Sequence, residues 1–444
     1  MMDKQTFGKN NWTILILFGL VGQIAWSVEN MYFNLFVFDT VAKDLGAITL
    51  MVQLSGVMAT VATLVAGAIS DKVGNRRKFI SIGYAIWGVT VAIFGYLSPE
   101  LTVSLFGVEL ERAVSNTLTA VIVGDCVMTL FGSTANDACF NAWVTDNTKP
   151  SFRGTVEGVL AILPLIAMLI VAGGFGILVE MLGGYSTVFL LLGIIISACG
   201  IVGIFIIKDS DELEKNGTLK DILYGFRPSV VKENKSLYAA FLIILVYGIA
   251  CQIFMPYLII YMKTYLGFSV LEYSIVFGVA IAFGAVINVF LGRLSDRMDK
   301  RRLLYIASSV MALGLFAMYL SKGMGHIATL LLFGISGFVM ITGYIFVSAL
   351  TGAIVRDNTP PESAGKLQGV RMVFSVLIPM IVGPMIGNGI NKTMNVPLEN
   401  AGADAMTTEY IPAPEIFLAG AITACLLIGC VWLLQRADGN KENA

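Results

Sequence analysis

Hydrophobic positions along the chain gather into long runs separated by short charged or Gly/Pro/Asn-containing connections. The runs cover roughly 12–38, 48–70, 79–98, 116–141, 156–180, 185–207, 237–262, 270–294, 303–320, 326–350, 367–390 and 414–435. A helix needs about 20 predominantly apolar residues to cross a bilayer, and most of these runs reach that length. Irregular backbone cannot face hydrocarbon, and the period-two alternation of a membrane barrel is absent. The pattern therefore predicts an all-α membrane protein with twelve transmembrane helices. The polar segment Met1–Asn11 leads into a run from Trp12 that is too long for a signal-peptide core and lacks a small-residue cleavage pattern, so it reads as a retained first span.

Composition agrees. Of 444 residues, 57% are hydrophobic and 13% charged, against about 45–50% apolar and about 25% charged in soluble chains. The 29 basic and 30 acidic residues nearly cancel, which argues against a nucleic-acid partner. Their positions carry more information than their sum. Lys4, Lys9, Lys72, Arg76–Lys78, Lys149, Arg153, Lys208–Lys235, Arg293–Arg302, Arg356, Lys366, Arg436 and Lys441 fall on one side, and only Lys43, Arg112, Lys263, Lys322 and Lys392 on the other. The positive-inside rule then puts both termini in the cytoplasm of a multi-pass protein, expected in the cell membrane. All six cysteines lie within apolar runs, without a CxxC pair or a cluster around the single histidine, His326, so neither a metal site nor a cofactor is expected. Asn391 begins an N-x-T sequon, which matters only in a host that glycosylates such loops.

The connection Lys208–Ser236 carries twelve charged residues in 29 positions and divides the chain into a six-helix bundle at 1–207, a cytoplasmic linker at 208–236 and a second six-helix bundle at 237–444. Within the linker, Thr218–Arg227 has the pattern of a short interfacial helix. The halves are copies. Trp143–Val159 (WVTDNTKPSFRGTVEGV) and Ile354–Val370 (IVRDNTPPESAGKLQGV) share eight of 17 positions, and Gly67–Arg77 (GAISDKVGNRR) and Gly292–Arg302 (GRLSDRMDKRR) share five of eleven. Two parallel six-helix repeats are the plan of a rocking transporter that binds its solute between the halves near the midplane.

The segment Gly67-Ala-Ile-Ser-Asp71-Lys-Val-Gly74-Asn-Arg76-Arg77-Lys78 resembles the loop signature of the major facilitator superfamily, G-x-L-x-D-R-x-G-R-R/K, between spans two and three, and its degenerate copy sits between spans eight and nine. The resemblance covers essentially the whole chain. It implies a secondary transporter, not an enzyme, with spans one, four, seven and ten lining the path and with loop motifs that govern conformational exchange without choosing substrate. Asp71 would then meet the start of span eleven near Gly365–Gln368, and Asp296 the start of span five near Gly154–Glu157. Asp71, Arg76, Arg77, Asp296, Arg153 and Arg371 form the expected gate. The basic runs Arg76–Lys78 and Lys300–Arg302 are expected to anchor to anionic headgroups. Arg371 could equally snorkel or pair with a carboxylate.

Ionisable residues inside the membrane are functional candidates by default. Gln23, Ser27, Asn30 and Asn34 form one stripe of span one, with Glu29 about 130° away round the helix at roughly 100° per residue. Asp125, Thr129, Gly132 and Asn136 form a stripe of span four, with Asp137 and Asn141 displaced from it. Glu29 and Asp125 are expected at similar depth. Paired carboxylates in a low dielectric share a proton, which suits proton coupling by Glu29, Asp125 and Asp137; individual satisfaction by hydroxyl, amide or backbone groups is the competing reading. Glu157, at the start of span five, is expected to be structural. Gln23, Asn30, Asn34, Asn136, Asn141, Gln252 and Tyr257 are the expected substrate contacts, and the largely uncharged second half suits hydroxyl-rich solutes.

Gln23-Ile-Ala-Trp26-Ser-Val-Glu29 is similar to the first-span pattern Q-F-x-W-A-x-Q/E of sucrose/proton symporters, near the glycoside–pentoside–hexuronide cation symporters. Ala135–Asp146 is similar to the same branch, but Asn141 replaces its Arg or His and Cys139 its proline. The resemblance implies a proton- or sodium-coupled sugar symporter; a monomer is expected. A proton-coupled exporter of drug-like compounds, a uniporter or organic-anion carrier, and a non-transporting membrane receptor are the alternatives.

Overall fold

The structure is a computed structural model that describes residues 7–148, 152–210, 224–295, 298–360, 364–397 and 410–442. Among the described residues, twelve helices are long and apolar enough to span a bilayer. They are Lys9–Val41, Leu45–Val73, Arg76–Phe94, Leu110–Asn147, Thr155–Met181, Tyr185–Ile206, Lys235–Thr264, Val270–Asn288, Lys300–Leu320, His326–Asn358, Leu367–Met394 and Glu415–Ala437. Each overlaps one predicted run. Several continue past it because polar terminal turns still satisfy the backbone ladder, which hydropathy does not detect.

Two elements went unpredicted. A short helix, Pro99–Phe106, follows span three, started by the Ser98 side chain accepting from Leu101 N–H and closed by Gly107 in the left-handed region. A minimal antiparallel strand pair joins Val396–Pro397 to Tyr410–Ile411 before span twelve. The expected interfacial helix at 218–227 lies mostly outside the described residues; from 224 a single turn leads into the helix Pro228–Glu233.

By internal contacts the chain forms two units: Met1–Ala42 with Val57–Leu219, and Lys43–Gly56 with Lys220–Ala444. In the first, span three packs most extensively on span six, and span one on span five. In the second, span nine packs on spans ten and twelve, and span seven on spans eleven and twelve. The pairings three–six and one–five thus recur as nine–twelve and seven–eleven, as a duplicated chain requires. Span two is one unbroken helix that starts in the second unit and continues in the first.

Several spans are not plain α-helices. π-helical turns interrupt span one at Glu29–Phe33 and Val37–Val41, span four at Ser133–Phe140, span five at Val171–Phe175 and span eleven at Val373–Leu377. Span seven is broken instead at Met255–Tyr257, where Pro256 lacks the N–H of a regular ladder. Such turns free backbone groups for tertiary bonds and cluster at functional sites.

Candidate functional site

In the first unit the polar groups of spans one and four converge at the π-helical turns. Glu29 opens the turn in span one and is buried. Its Oε1 accepts from the Thr129 hydroxyl of span four at 3.1 Å. Asp125, one helical turn before Thr129, is 2% exposed, and both Asp125 and Glu29 act electrostatically on the Cys126 thiol. Spans one and four thus each bring a buried carboxylate to the level of Cys126. Glu29 turns away from its own polar stripe to meet a neighbouring helix, as its angular offset suggests.

A second layer lies deeper along span four. Asp137 Oδ2 accepts from the Ser133 hydroxyl at 2.9 Å. Asn136 points elsewhere: its Nδ2 donates to the Tyr84 hydroxyl at 2.6 Å, which donates to Phe18 O at 2.7 Å. These bonds fasten spans one, three and four together. They depend on Gly22, where an added Cβ would collide with the Asn136 amide and the Tyr84 hydroxyl.

The expected substrate contacts divide by access. Asn30 and Asn141 are exposed, and Gln23 and Gln252 are half-buried. Asn34 and Asn136 are 2% exposed and Tyr257 is fully buried. Asn34 donates within its own helix, to Asn30 O at 3.3 Å, and Tyr257 is engaged by Thr49 and Pro384. In this conformation Asn34 is tied into its own helix, while Asn136 and Tyr257 fasten neighbouring helices rather than face a solute, because polar groups in a membrane bundle also serve as interhelical bonds.

The gate residues also redistribute. Arg76 is 5% exposed, contrary to a headgroup anchor, and only Arg77 and Lys78 of that run are exposed. Its guanidinium binds the Asp71 carboxylate, Asp146 Oδ2 at 3.1 Å and the Ser70 hydroxyl. Gly74 at φ 65° makes the turn that returns Arg76 towards Asp71, and Asn75 caps span three by accepting from Lys78 N–H. Asp71 thus has a partner inside its own unit. In the second unit Lys300 pairs with Asp357, the duplicate of Asp146. Arg371 is exposed. Asp296 lies outside the described residues, as does the Arg153 side chain.

Of the aromatic groups around these sites, Tyr84, Trp87 and Tyr247 carried no signal in the sequence. Trp26 and Trp87 pack at 4.9 Å between ring centres, with Tyr84 edge-on to Trp87. In the second unit Tyr247 and Tyr344 stack at 5.2 Å and 29° across spans seven and ten, with Ser348 exposed one turn further along. Asn288 of span eight donates to Gly284 O and Thr342 O. Among the described residues no group of histidine, cysteine and carboxylate side chains could hold a metal ion.

The sequence profile of the Major Facilitator Superfamily matches residues 15–384. The chain belongs to that superfamily. Solved transporters share its fold: a mutant form of the nucleoside transporter NupG superposes with a TM-score of 0.68 at 13% identity, over 95% of this chain and 99% of that one. A bacterial homologue of the human lysosomal transporter Spinster, in an inward-facing and unoccupied conformation, gives 0.67 at 13%, over 98% of both chains. A comparison with curated proteins found no match. As a superfamily member the protein is a multi-pass membrane transporter of small molecules, not an enzyme.

Proposed function

We propose that this transporter is a proton-coupled symporter of a small neutral, hydroxyl-rich solute. The observation that carries the reading is the pair of buried carboxylates Glu29 and Asp125 on spans one and four, with Glu29 accepting from the Thr129 hydroxyl one helical turn beyond Asp125. Burial and like charge favour one shared proton, so binding and release of that proton can accompany solute movement. Asp137, held by Ser133, is a second proton station. Gln23, Asn30, Asn141 and Gln252 supply accessible hydrogen-bonding groups without charge, which favours a neutral polyol or glycoside over an ion. The two bundles alternate in access, with Asp71, Arg76, Arg77, Asp296, Arg153 and Arg371 on the gating side. Both termini face the cytoplasm at the cell membrane, in line with the distribution of basic loops.

Uptake into proteoliposomes tests this reading. Sucrose, maltose, glucose and a nucleoside such as uridine would each be offered with and without an imposed pH or sodium gradient; uridine is included because NupG, which shares the fold, is a nucleoside transporter. Accumulation of one of the sugars driven by the pH gradient is expected. Uptake indifferent to both gradients would replace symport with facilitated diffusion, and expulsion of lipophilic dyes would favour an exporter.

A further inference from the structure

Spans nine and twelve touch near one membrane surface, where the Tyr305 hydroxyl, in the second turn of span nine, donates to Gln435 Oε1 near the end of span twelve at 3.2 Å. One span begins there and the other ends, so the two run antiparallel. At about 100° per residue, Arg302, Ile306 and Leu313 lie roughly 60–100° round span nine from Tyr305, and Ile428, Trp432 and Arg436 roughly 20–100° round span twelve from Gln435. Because the axes are antiparallel, these rotations bring both sets onto the same flank of the helix pair. All six residues are exposed.

The surface end of this flank is basic and the rest is apolar. Of the run Lys300–Arg302, Lys300 pairs with Asp357 and Arg301 is half-buried, which leaves Arg302 as the exposed member. Arg436 stands over the Trp432 ring, 5.6 Å from its centre. Among the described residues neither Arg302 nor Arg436 has a carboxylate partner. Helical side chains lean towards the N-terminus of their own helix. That lean sends Arg302 outward to headgroup level and folds Arg436 back over Trp432, at the depth where indole rings settle in a bilayer.

We propose that this flank binds one acidic phospholipid of the adjoining leaflet, which is the cytoplasmic one in the proposed topology. The lipid phosphodiester lies between the Arg302 and Arg436 guanidinium groups, whose forked N–H donors match phosphate oxygens. Its acyl chains follow the furrow lined by Ile306, Leu313 and Ile428. Charge and polarity together select this occupant: two arginines without a carboxylate stand at the mouth of an apolar furrow, and a lipid is anionic at one end and apolar at the other. The first unit lacks the arrangement. Ile80 stands where the second unit has Tyr305, and Arg77, the copy of Arg302, has Asp209 from just past span six accepting from its N–H at 2.9 Å. A carboxylate of the chain thus stands where the second unit takes a lipid phosphate.

The test requires neither solute nor gradient, so its failure leaves the proton-symport reading untouched. Detergent-purified protein is titrated with phosphatidylglycerol or with phosphatidylcholine of identical chains, and bound lipids are counted by native mass spectrometry. One phosphatidylglycerol is expected to bind ahead of any phosphatidylcholine. Arg302→Gln and Arg436→Gln should each weaken that first lipid about fivefold, and the double variant about twenty-five-fold, with the melting temperature in lipid-free detergent unchanged. Arg227→Gln, which removes an exposed arginine stacked on Tyr224 instead, should leave it as tight as in the native protein. Equal binding of the two lipids, undiminished affinity in the double variant, the same loss in Arg227→Gln, or displacement of the lipid by glycerol phosphate would each overturn the site.

Discussion

The two halves carry different chemistry at matching positions. At the offset of 225 that aligns the first three spans with their copies, Glu29 corresponds to Phe254, Gly22 to Tyr247 and Tyr32 to Tyr257. At the offset of 211 for spans four and five, Asp125 corresponds to Ser336, Ser133 to Tyr344 and Asp137 to Ser348. All three of these carboxylates thus have uncharged counterparts in the second half. What both halves keep is structural. Gly132 lies against Trp87 and Gly343 against the Met311 backbone, so each fourth helix packs closely on its third. Tyr32 accepts from Gly176 N–H where the π-helical turn of span five ends, and Tyr257 donates to Pro384 O of span eleven. Helix-fastening groups were retained through the duplication while these three carboxylates have no counterpart in the second half, as the proposed split between proton coupling in one half and solute shape in the other requires.

The largest test of this division concerns the two ion networks. Arg76 is buried between Asp71 and Asp146, and Arg76→Met would leave two carboxylates facing each other. Removing one partner of a buried pair costs about 3–5 kcal/mol, and the low end applies because the Asp71 side chain is 41% exposed. Thermal or denaturant unfolding should show the loss. Full stability in Arg76→Met would mean that the first unit does not depend on this network.

Gly22 supplies the next test. Its copy is a tyrosine, yet in the first unit no side chain fits against Asn136 and Tyr84. Overpacking of this kind costs about 1–3 kcal/mol, expected for Gly22→Val as a lower melting temperature. Tyr247→Phe keeps the ring stacked on Tyr344 and should change stability by less than about 0.5 kcal/mol. Equal losses in the two variants would show the halves to be packed alike.

These positions also show what was legible in the sequence. Twelve spans were, because hydrocarbon demands long apolar runs. So were Asp146 and Asp357 as a repeated feature, and the offset of Glu29 from the stripe of Gln23 and Asn30. The role of Arg76 was not, since a basic residue in a short loop looks the same whether it faces headgroups or folds back through Gly74 onto Asp71. Nor was the burial of Asn34, Asn136 and Tyr257. A polar residue in a membrane helix serves either a solute or a neighbouring helix, and spacing alone does not separate the two. Tyr84 and Trp87 were hidden because aromatic residues in an apolar run read as core. Gly22 and Gly132, set among bulky neighbours, were the available sign of close contact there.

Coupling comes third. Glu29→Gln and Asp125→Asn should each lower gradient-driven accumulation about tenfold, the equivalent of one pK unit of proton linkage, while solute counterflow stays within about twofold of wild type because exchange needs no net proton movement. Ser336→Ala and Ser348→Ala, at the matching positions, should leave accumulation intact. Uncoupling by either serine variant would break the division between halves, and full accumulation in both carboxylate variants would remove the pair from the mechanism.

The smallest effect is expected at Lys300, which pairs with Asp357, the copy of Asp146, from the position beside Arg301, the copy of Arg76. The Lys300 and Asp357 side chains are 35% and 56% exposed, so water already solvates both charges, and pairs of this kind contribute about 0–1 kcal/mol. Lys300→Met should therefore shift the melting temperature far less than Arg76→Met. In 1 M salt, where the screening length falls to about 3 Å, the shift should shrink towards zero, whereas the buried Arg76 network, poorly reached by ions, should keep most of its contribution. The ratio of the two salt dependences measures how far the tie on this repeated aspartate is drawn into the protein in one half and left in water in the other.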